Sequence, residues 1–223
     1  MSEDRFLIKK AIRFGWDTMK ANIGFFIVLL IVAFLIERLP GMLGNFARRD
    51  FPLISLTLFM SGWILSFVVQ MGLMKISLKF CDGIKGTLDD LLSSFNILLP
   101  FVAASILYGL IVFAGFILLI VPGVIWGVKF SLYPYFIVDR NMGPVQALKA
   151  SAHATTSAKW HLFLFGILLG LINLAGALCF FIGLFATIPT SLVAYAHTYR
   201  QLSAEVSDDS PESEAMYVKL ETD

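Results

Sequence analysis

The sequence predicts an all-α fold, a polytopic membrane bundle of about six transmembrane helices, and three observations carry that reading. Residues 21–36, 51–74, 91–128 and 160–199 contain no Asp, Glu, Lys or Arg, giving charge-free runs of 16, 24, 38 and 40 residues. A bilayer-spanning helix takes about 20 apolar residues, so each of the last two runs is long enough for two spans. The chain is 58% hydrophobic and 15% charged, whereas a soluble domain carries about 25% charged residues. The remaining charges bracket the runs. In hydrocarbon, only helices and closed barrels satisfy their own backbone hydrogen bonds, which sets the helical reading.

Residues 5–20 read as a basic amphipathic helix, with Ile8, Ile12, Gly15 and Met19 on one side and Lys9, Arg13 and Lys20 on another. Two roles stay open for it. It lies in the headgroup layer and attracts anionic lipid, or it is a flank whose charges only fix orientation. The first apolar run competes with a secretion signal, but it follows a charged segment and ends in Glu37, Arg38, Leu39 and Pro40 rather than a small-residue cleavage site. It is therefore read as an uncleaved span over residues 22–36, short enough that Lys20 and Arg38 would snorkel. Leu39-Pro40-Gly41 is expected to stop it. A loop with Arg48, Arg49 and Asp50 leads to span two, residues 52–76.

Lys75, Lys79, Asp82, Lys85, Asp89 and Asp90 mark a return to water. Within them Thr87 reads as a helix N-cap and Asp90 as the acidic third residue of a capping box. Leu91, Leu92 and Phe95 then suggest a short helix at the interface. Val121-Pro122-Gly123 cuts the next run into a hairpin, with span three over residues 97–120 and span four over 124–138, kinked at Pro134. Pro144 suits the first turn of a further short helix. Its small residues, Ala147, Ala150, Ala152 and Ala154 around Leu148, favour packing on the bundle.

Trp160 marks an interface. The last run must fold back between residues 176 and 183, giving spans over 161–178 and 184–199. From Ser203 the chain is acidic, so residues 1–202 are expected to form the integral membrane domain and 203–223 a disordered cytoplasmic tail. At coarse scale the pattern suggests three repeats of an interfacial helix plus a hairpin, although any six-span protein with short outer loops shares that outline.

Orientation follows from Lys and Arg. A cytoplasmic N-terminus puts Arg5, Lys9, Lys10, Arg13, Lys20, Lys75, Lys79, Lys85, Arg140, Lys149, Lys159, Arg200 and Lys219 inside, against Arg38, Arg48 and Arg49 outside. That bias predicts a multi-pass protein of the inner or plasma membrane with both termini cytoplasmic.

Chemistry is sparse. The net charge of +1 gives no reason to expect nucleic-acid binding. Cys81 and Cys179 fall on opposite sides of the predicted topology, so neither a disulfide nor a metal site is expected. His161 and His197 approach one end of the last hairpin without a carboxylate or thiol at ligand spacing, and His153 sits on the short helix. No metalloprotease, nucleophile-elbow or phosphate-loop motif occurs, and paired intramembrane carboxylates are absent. No catalytic residue, metal or cofactor is expected. Gly166 and Gly170 form a GxxxG, which favours close helix contact.

One residue stands out. Lys129 is the only formal charge well inside a predicted span, about 10 Å from the Pro122 turn by helix rise. An intramembrane ammonium needs acceptors or an escape to the headgroups. Asn173 and Thr190 fall at comparable depth and Tyr108 several ångströms deeper, so a polar layer of Lys129, Asn173, Thr190 and Tyr108 competes with simple snorkelling.

The stretch Val121-Pro122-Gly123 through Lys129, Tyr133-Pro134-Tyr135 and Asp139, followed by Gly143-Pro144, Ala147-Leu148 and Ser151, resembles a group of bacterial membrane proteins. That group includes the YciC-like proteins and the membrane domain found ahead of some glycerophosphodiester phosphodiesterases. The resemblance is strongest over residues 95–202. It implies a six-span helical protein, and it does not carry the phosphodiesterase activity, whose domain is missing from this sequence. The expected function is binding of membrane lipids, or of a protein partner or second copy, within the bilayer. The alternative is a small transporter or channel subunit built on the Lys129 layer.

Overall fold

A computed structural model describes the backbone of residues 2–208 and the side chains of residues 8–204. The helices are α1 (Ser2–Ala21), α2 (Ile23–Ala47), α3 (Pro52–Cys81), α4 (Leu98–Leu118), α5 (Ile120–Lys129), α6 (Tyr133–Arg140), α7 (Pro144–Ala154), α8 (Lys159–Leu178) and α9 (Leu184–Asp208). Two 3-10 turns, Leu88–Leu91 and Phe95–Ile97, precede α4, and the described residues contain no strand. Five segments are long and apolar enough to cross a membrane: Ile23–Ala47, Pro52–Cys81, Leu88–Leu118, Ile120–Arg140 and Lys159–Leu178. The chain is a multi-pass membrane protein. Its surface fits that medium, because Phe34, Leu56, Ile106, Leu110 and Leu171 are all more than half exposed, an apolar belt that water would not tolerate.

The sixth expected span, α9, is the polar one, and its position explains why. It packs against α1, α2, α3, α7 and α8, and Val193, Ala194, Ala196 and Tyr199 on it are fully buried. A helix screened from lipid by its neighbours can carry Thr190, Ser191, His197 and Arg200, provided these find partners inside the bundle.

Helix α1 packs its apolar face on protein. Ala11, Gly15 and Met19 are buried, and Gly15 lies against the Thr190 carbonyl and 3.1 Å, measured from a Cβ placed on it, from the Ala194 nitrogen. Lys9, Lys10, Arg13 and Lys20 face outward, and Asp17 lies 3.3 Å from Lys20 and 3.8 Å from Arg13. The face read from the periodicity is therefore real, but a helix covers it, and only the charged face is left for headgroups. Asn22 separates α1 from α2, its amide donating to the Thr18 carbonyl at 3.0 Å.

Three expected boundaries move. The first span does not stop at Pro40: α2 continues to Ala47 with Pro40 inside it, and a Cβ on Gly62 of α3 would sit 3.4 Å from Pro40 Cβ. In lipid an interrupted helix still outcompetes exposed backbone, so the proline is absorbed. The α4–α5 reversal falls at Leu119, whose backbone is extended (φ −168°, ψ 156°), and Pro122 lies in the first turns of α5, where its missing N–H costs nothing. Gly123 serves packing there, since a Cβ on it would lie 2.6 Å from the Phe116 ring. The kink expected at Pro134 appears as a full break over residues 130–132, with Pro134 in the first turn of α6.

Other expectations hold closely. Thr87 donates from its backbone N–H and its hydroxyl to Asp90, each at 2.9 Å, although the element they start is a 3-10 turn rather than an α-helix. Helix α7 begins at Pro144 and buries Ala147, Leu148, Ser151 and Ala154 in the bundle. The α8–α9 reversal uses residues 179–183, with Phe180 and Phe181 at φ 53° and 62°, a left-handed conformation that costs bulky residues energy. Helix α9 runs past the expected tail boundary at Ser203 to Asp208, and Ser203 is buried; the tail's remaining residues, 209–223, lie outside the described residues.

Candidate functional site

Lys129 ends α5, immediately before the break. The break exposes backbone groups that a membrane interior must satisfy, and α7 supplies the partners. The Lys129 carbonyl accepts from Thr155 Oγ1 at 2.8 Å and from Ser151 Oγ at 3.2 Å, and the Leu132 N–H donates to Ser151 Oγ at 3.1 Å. Ser151 and Thr155 are fully buried. These two hydroxyls pin α7 to the interrupted helix.

The Lys129 side chain turns away from that polar clamp. Its ammonium lies 5.5 Å from the Phe130 ring centroid, and it lines an open cavity of about 520 Å³ with Leu110, Ile111, Ala114, Trp126 and Phe130. Among the described residues no carboxylate pairs with it. Tyr108 comes close through the backbone, its hydroxyl donating to the Gly127 carbonyl at 3.0 Å, and its ring sits 5.1 Å from that of Tyr133. Asn173 and Thr190 bond elsewhere. Asn173 Nδ2 donates to Ser191 Oγ at 2.9 Å, and the Thr190 hydroxyl donates back to the Ala186 carbonyl at 2.7 Å. The structure thus brings Tyr108 beside the last turn of α5 and keeps Asn173 and Thr190 within the α8–α9 pair.

A second cluster escaped sequence reasoning. Arg200 of α9 donates to Asp139 of α6 and to Asp82 after α3, each at 2.7 Å, and the buried Tyr199 hydroxyl donates to the same Asp139 oxygen at 2.8 Å. Arg140 reaches the Ser203 carbonyl at 3.3 Å. Planar guanidinium geometry suits holding two carboxylates at once. Beside it, Lys79 lies 2.7 Å from both Asp90 oxygens and Lys75 donates to Ser93 at 2.9 Å. The Arg200 and Arg140 bonds tie segments 61 to 118 residues apart in sequence.

A third feature is a cleft of about 440 Å³ between α2 and the start of α9, lined by Leu30, Ile31, Phe34, Phe181 and Phe185 with Glu37 among them. No group of three His, Cys, Asp or Glu able to hold a metal occurs among the described residues. Cys81 donates to the Val193 carbonyl at 3.8 Å and Cys179 is exposed, both as free thiols. The His197 ring lies 4.7 Å from that of Phe14, and His153 is exposed.

No family model matches this chain, and no solved structure does. An uncharacterised protein of Mycobacterium bovis is 28% identical over 146 residues, 64% of this chain and 45% of that protein. An uncharacterised protein of Mycobacterium tuberculosis H37Rv is 27% identical over the same length and shares. The chain therefore spans less than half of the relatives it matches, and their descriptions name no activity. The resemblance to YciC-like proteins rests on the quoted motif residues alone.

Proposed function

We propose that this chain is a non-catalytic protein of the inner or plasma membrane, with both termini cytoplasmic, that binds lipid within the bilayer. The cleft between α2 and α9 carries the reading: its walls are almost wholly apolar, and its volume of about 440 Å³ falls within the ~300–1,000 Å³ of ordinary ligand sites. The missing catalytic motifs and the outward basic face of α1, suited to anionic headgroups, support it further. Photo-cross-linking in native membranes with a phospholipid that carries its reactive group on the acyl chain tests it. Labelling should concentrate on the peptides spanning residues 30–37 and 181–188. Even labelling around the whole apolar belt would contradict a specific site, and cross-links to a protein at the cleft would replace lipid with a partner or a second copy.

The transporter alternative has one observation in its favour, the broken α5–α6 helix beside Lys129, since transporters use interrupted helices around their substrates. It is the weaker reading. The Lys129 carbonyl and the Leu132 N–H are already bonded to Ser151 and Thr155, so these groups at the break are not free to coordinate a substrate.

A further inference from the structure

The Lys129 cavity lies apart from the α2–α9 cleft and shares no lining residue with it. It differs in one respect that matters chemically, because it has a single cation in an otherwise apolar wall. Leu110, Ile111 and Ala114 of α4 face Trp126, Lys129 and Phe130 across an open side. A lysine in such surroundings is expensive unless an anion or water meets it. The acceptors nearest in the chain are already engaged: the Lys129 carbonyl accepts from Ser151 and Thr155, the Gly127 carbonyl from Tyr108, and the Trp126 and Val128 carbonyls from the backbone N–H groups of Phe130 and Ser131. The Phe130 ring lies under the ammonium at 5.5 Å, a contact weaker than an ion pair, and among the described residues no carboxylate pairs with it.

We infer that this cavity binds an acidic phospholipid, with the phosphate on the Lys129 ammonium and an acyl chain along Leu110, Ile111 and Ala114. Charge complementarity selects the occupant. A zwitterionic lipid brings its own choline cation to compete for its phosphate, whereas an acidic phospholipid offers the Lys129 ammonium an uncompensated negative charge joined to an acyl chain for the apolar walls. The Ser151 and Thr155 clamp fixes the end of α5 and so holds the lysine at the cavity. The inference rests on the lipid-binding reading above and gives it a headgroup chemistry and a second location.

The test uses the full chain in nanodiscs of phosphatidylcholine doped with photoreactive phosphatidylglycerol, photoreactive phosphatidylcholine or a photoreactive fatty acid, with labelled peptides mapped by mass spectrometry. The phosphatidylglycerol probe should label the peptide containing Trp126 and Phe130 at least about five-fold more than the phosphatidylcholine probe, a factor that corresponds to about 1 kcal/mol of headgroup discrimination. Lys129→Gln should erase that preference and Lys129→Arg should keep it. Ala114→Trp, which leaves the charge but fills the cavity, should lower labelling by both phospholipid probes. Equal labelling by the two phospholipids in the unsubstituted protein overturns the inference, and so does preference for the fatty acid. The cleft peptide, residues 181–188, separates the two readings: if it is labelled without headgroup preference while the Lys129 peptide shows none, lipid binding stands and this site falls. If neither peptide is labelled, both fall.

Discussion

Arg200 holds Asp82 and Asp139 with opposite ends of one guanidinium, which ties the segment after α3, the end of α6 and α9 into a single charged knot. The pair with Asp139 is the better shielded, since that carboxylate side chain is 16% exposed against 41% for Asp82. Arg200→Leu should therefore cost about 2 kcal/mol, in the range of hydrogen bonds to charged groups, with most of the loss traced to Asp139. A double-mutant cycle of Arg200→Leu with Asp139→Asn, read by unfolding in mixed micelles, should show coupling, while the cycle with Asp82→Asn should show less. Additive effects at Asp139 would remove the knot from the account. None of this pairing was legible in the sequence, because Asp82 and Arg200 are 118 residues apart and each alone reads as an interfacial charge. Lys129 was legible for the opposite reason, as the lone charge in a long uncharged stretch. Its depth follows from helix rise, but its neighbours depend on which way each helix is turned, and rise says nothing about that.

At the scale of elements, periodicity found the buried face of α1 correctly and could not name what covers it. The stripe Ile8, Ile12, Gly15 and Met19 would look the same against lipid or against α9. Close approach at Gly15 distinguishes the two. Gly15→Val should force α1 away from the Thr190 carbonyl and lower stability by about 1–3 kcal/mol, as overpacking does. Gly24→Ala meets nothing within 4 Å and should be neutral or stabilising by up to about 1 kcal/mol, because alanine favours the helix. Thermal midpoints of the two variants in detergent check this, and equal midpoints would mean that α1 is only loosely seated. Pro40 and Pro122 show where turn chemistry misleads in a membrane. Both were read as stops, yet one sits inside α2 and the other in the start of α5, since unpaired backbone is costlier in lipid than a locally strained helix.

For the whole molecule, the charge-free runs were enough to give an all-α membrane bundle, because they record which segments must avoid water. They were less informative about α9. Hydropathy reports the medium around a helix, and α9 is surrounded by other helices, so its polar residues follow from its central place. The element order also keeps the expected scheme of a helical, partly charged segment followed by a hairpin, with α1 before α2–α3, the 3-10 turns before α4 and the α5–α6 pair, and α7 before α8–α9. The central claim is that the polar α9 completes an even number of crossings and leaves both ends of the chain on one side. It is tested most directly by single cysteines on a cysteine-free background, labelled in intact cells with a membrane-impermeant maleimide. A cysteine at Arg49 should react from outside, whereas cysteines at Lys85, Asn141 and Ser2 should react only after the membrane is opened. Labelling of the Asn141 site in intact cells would contradict the account.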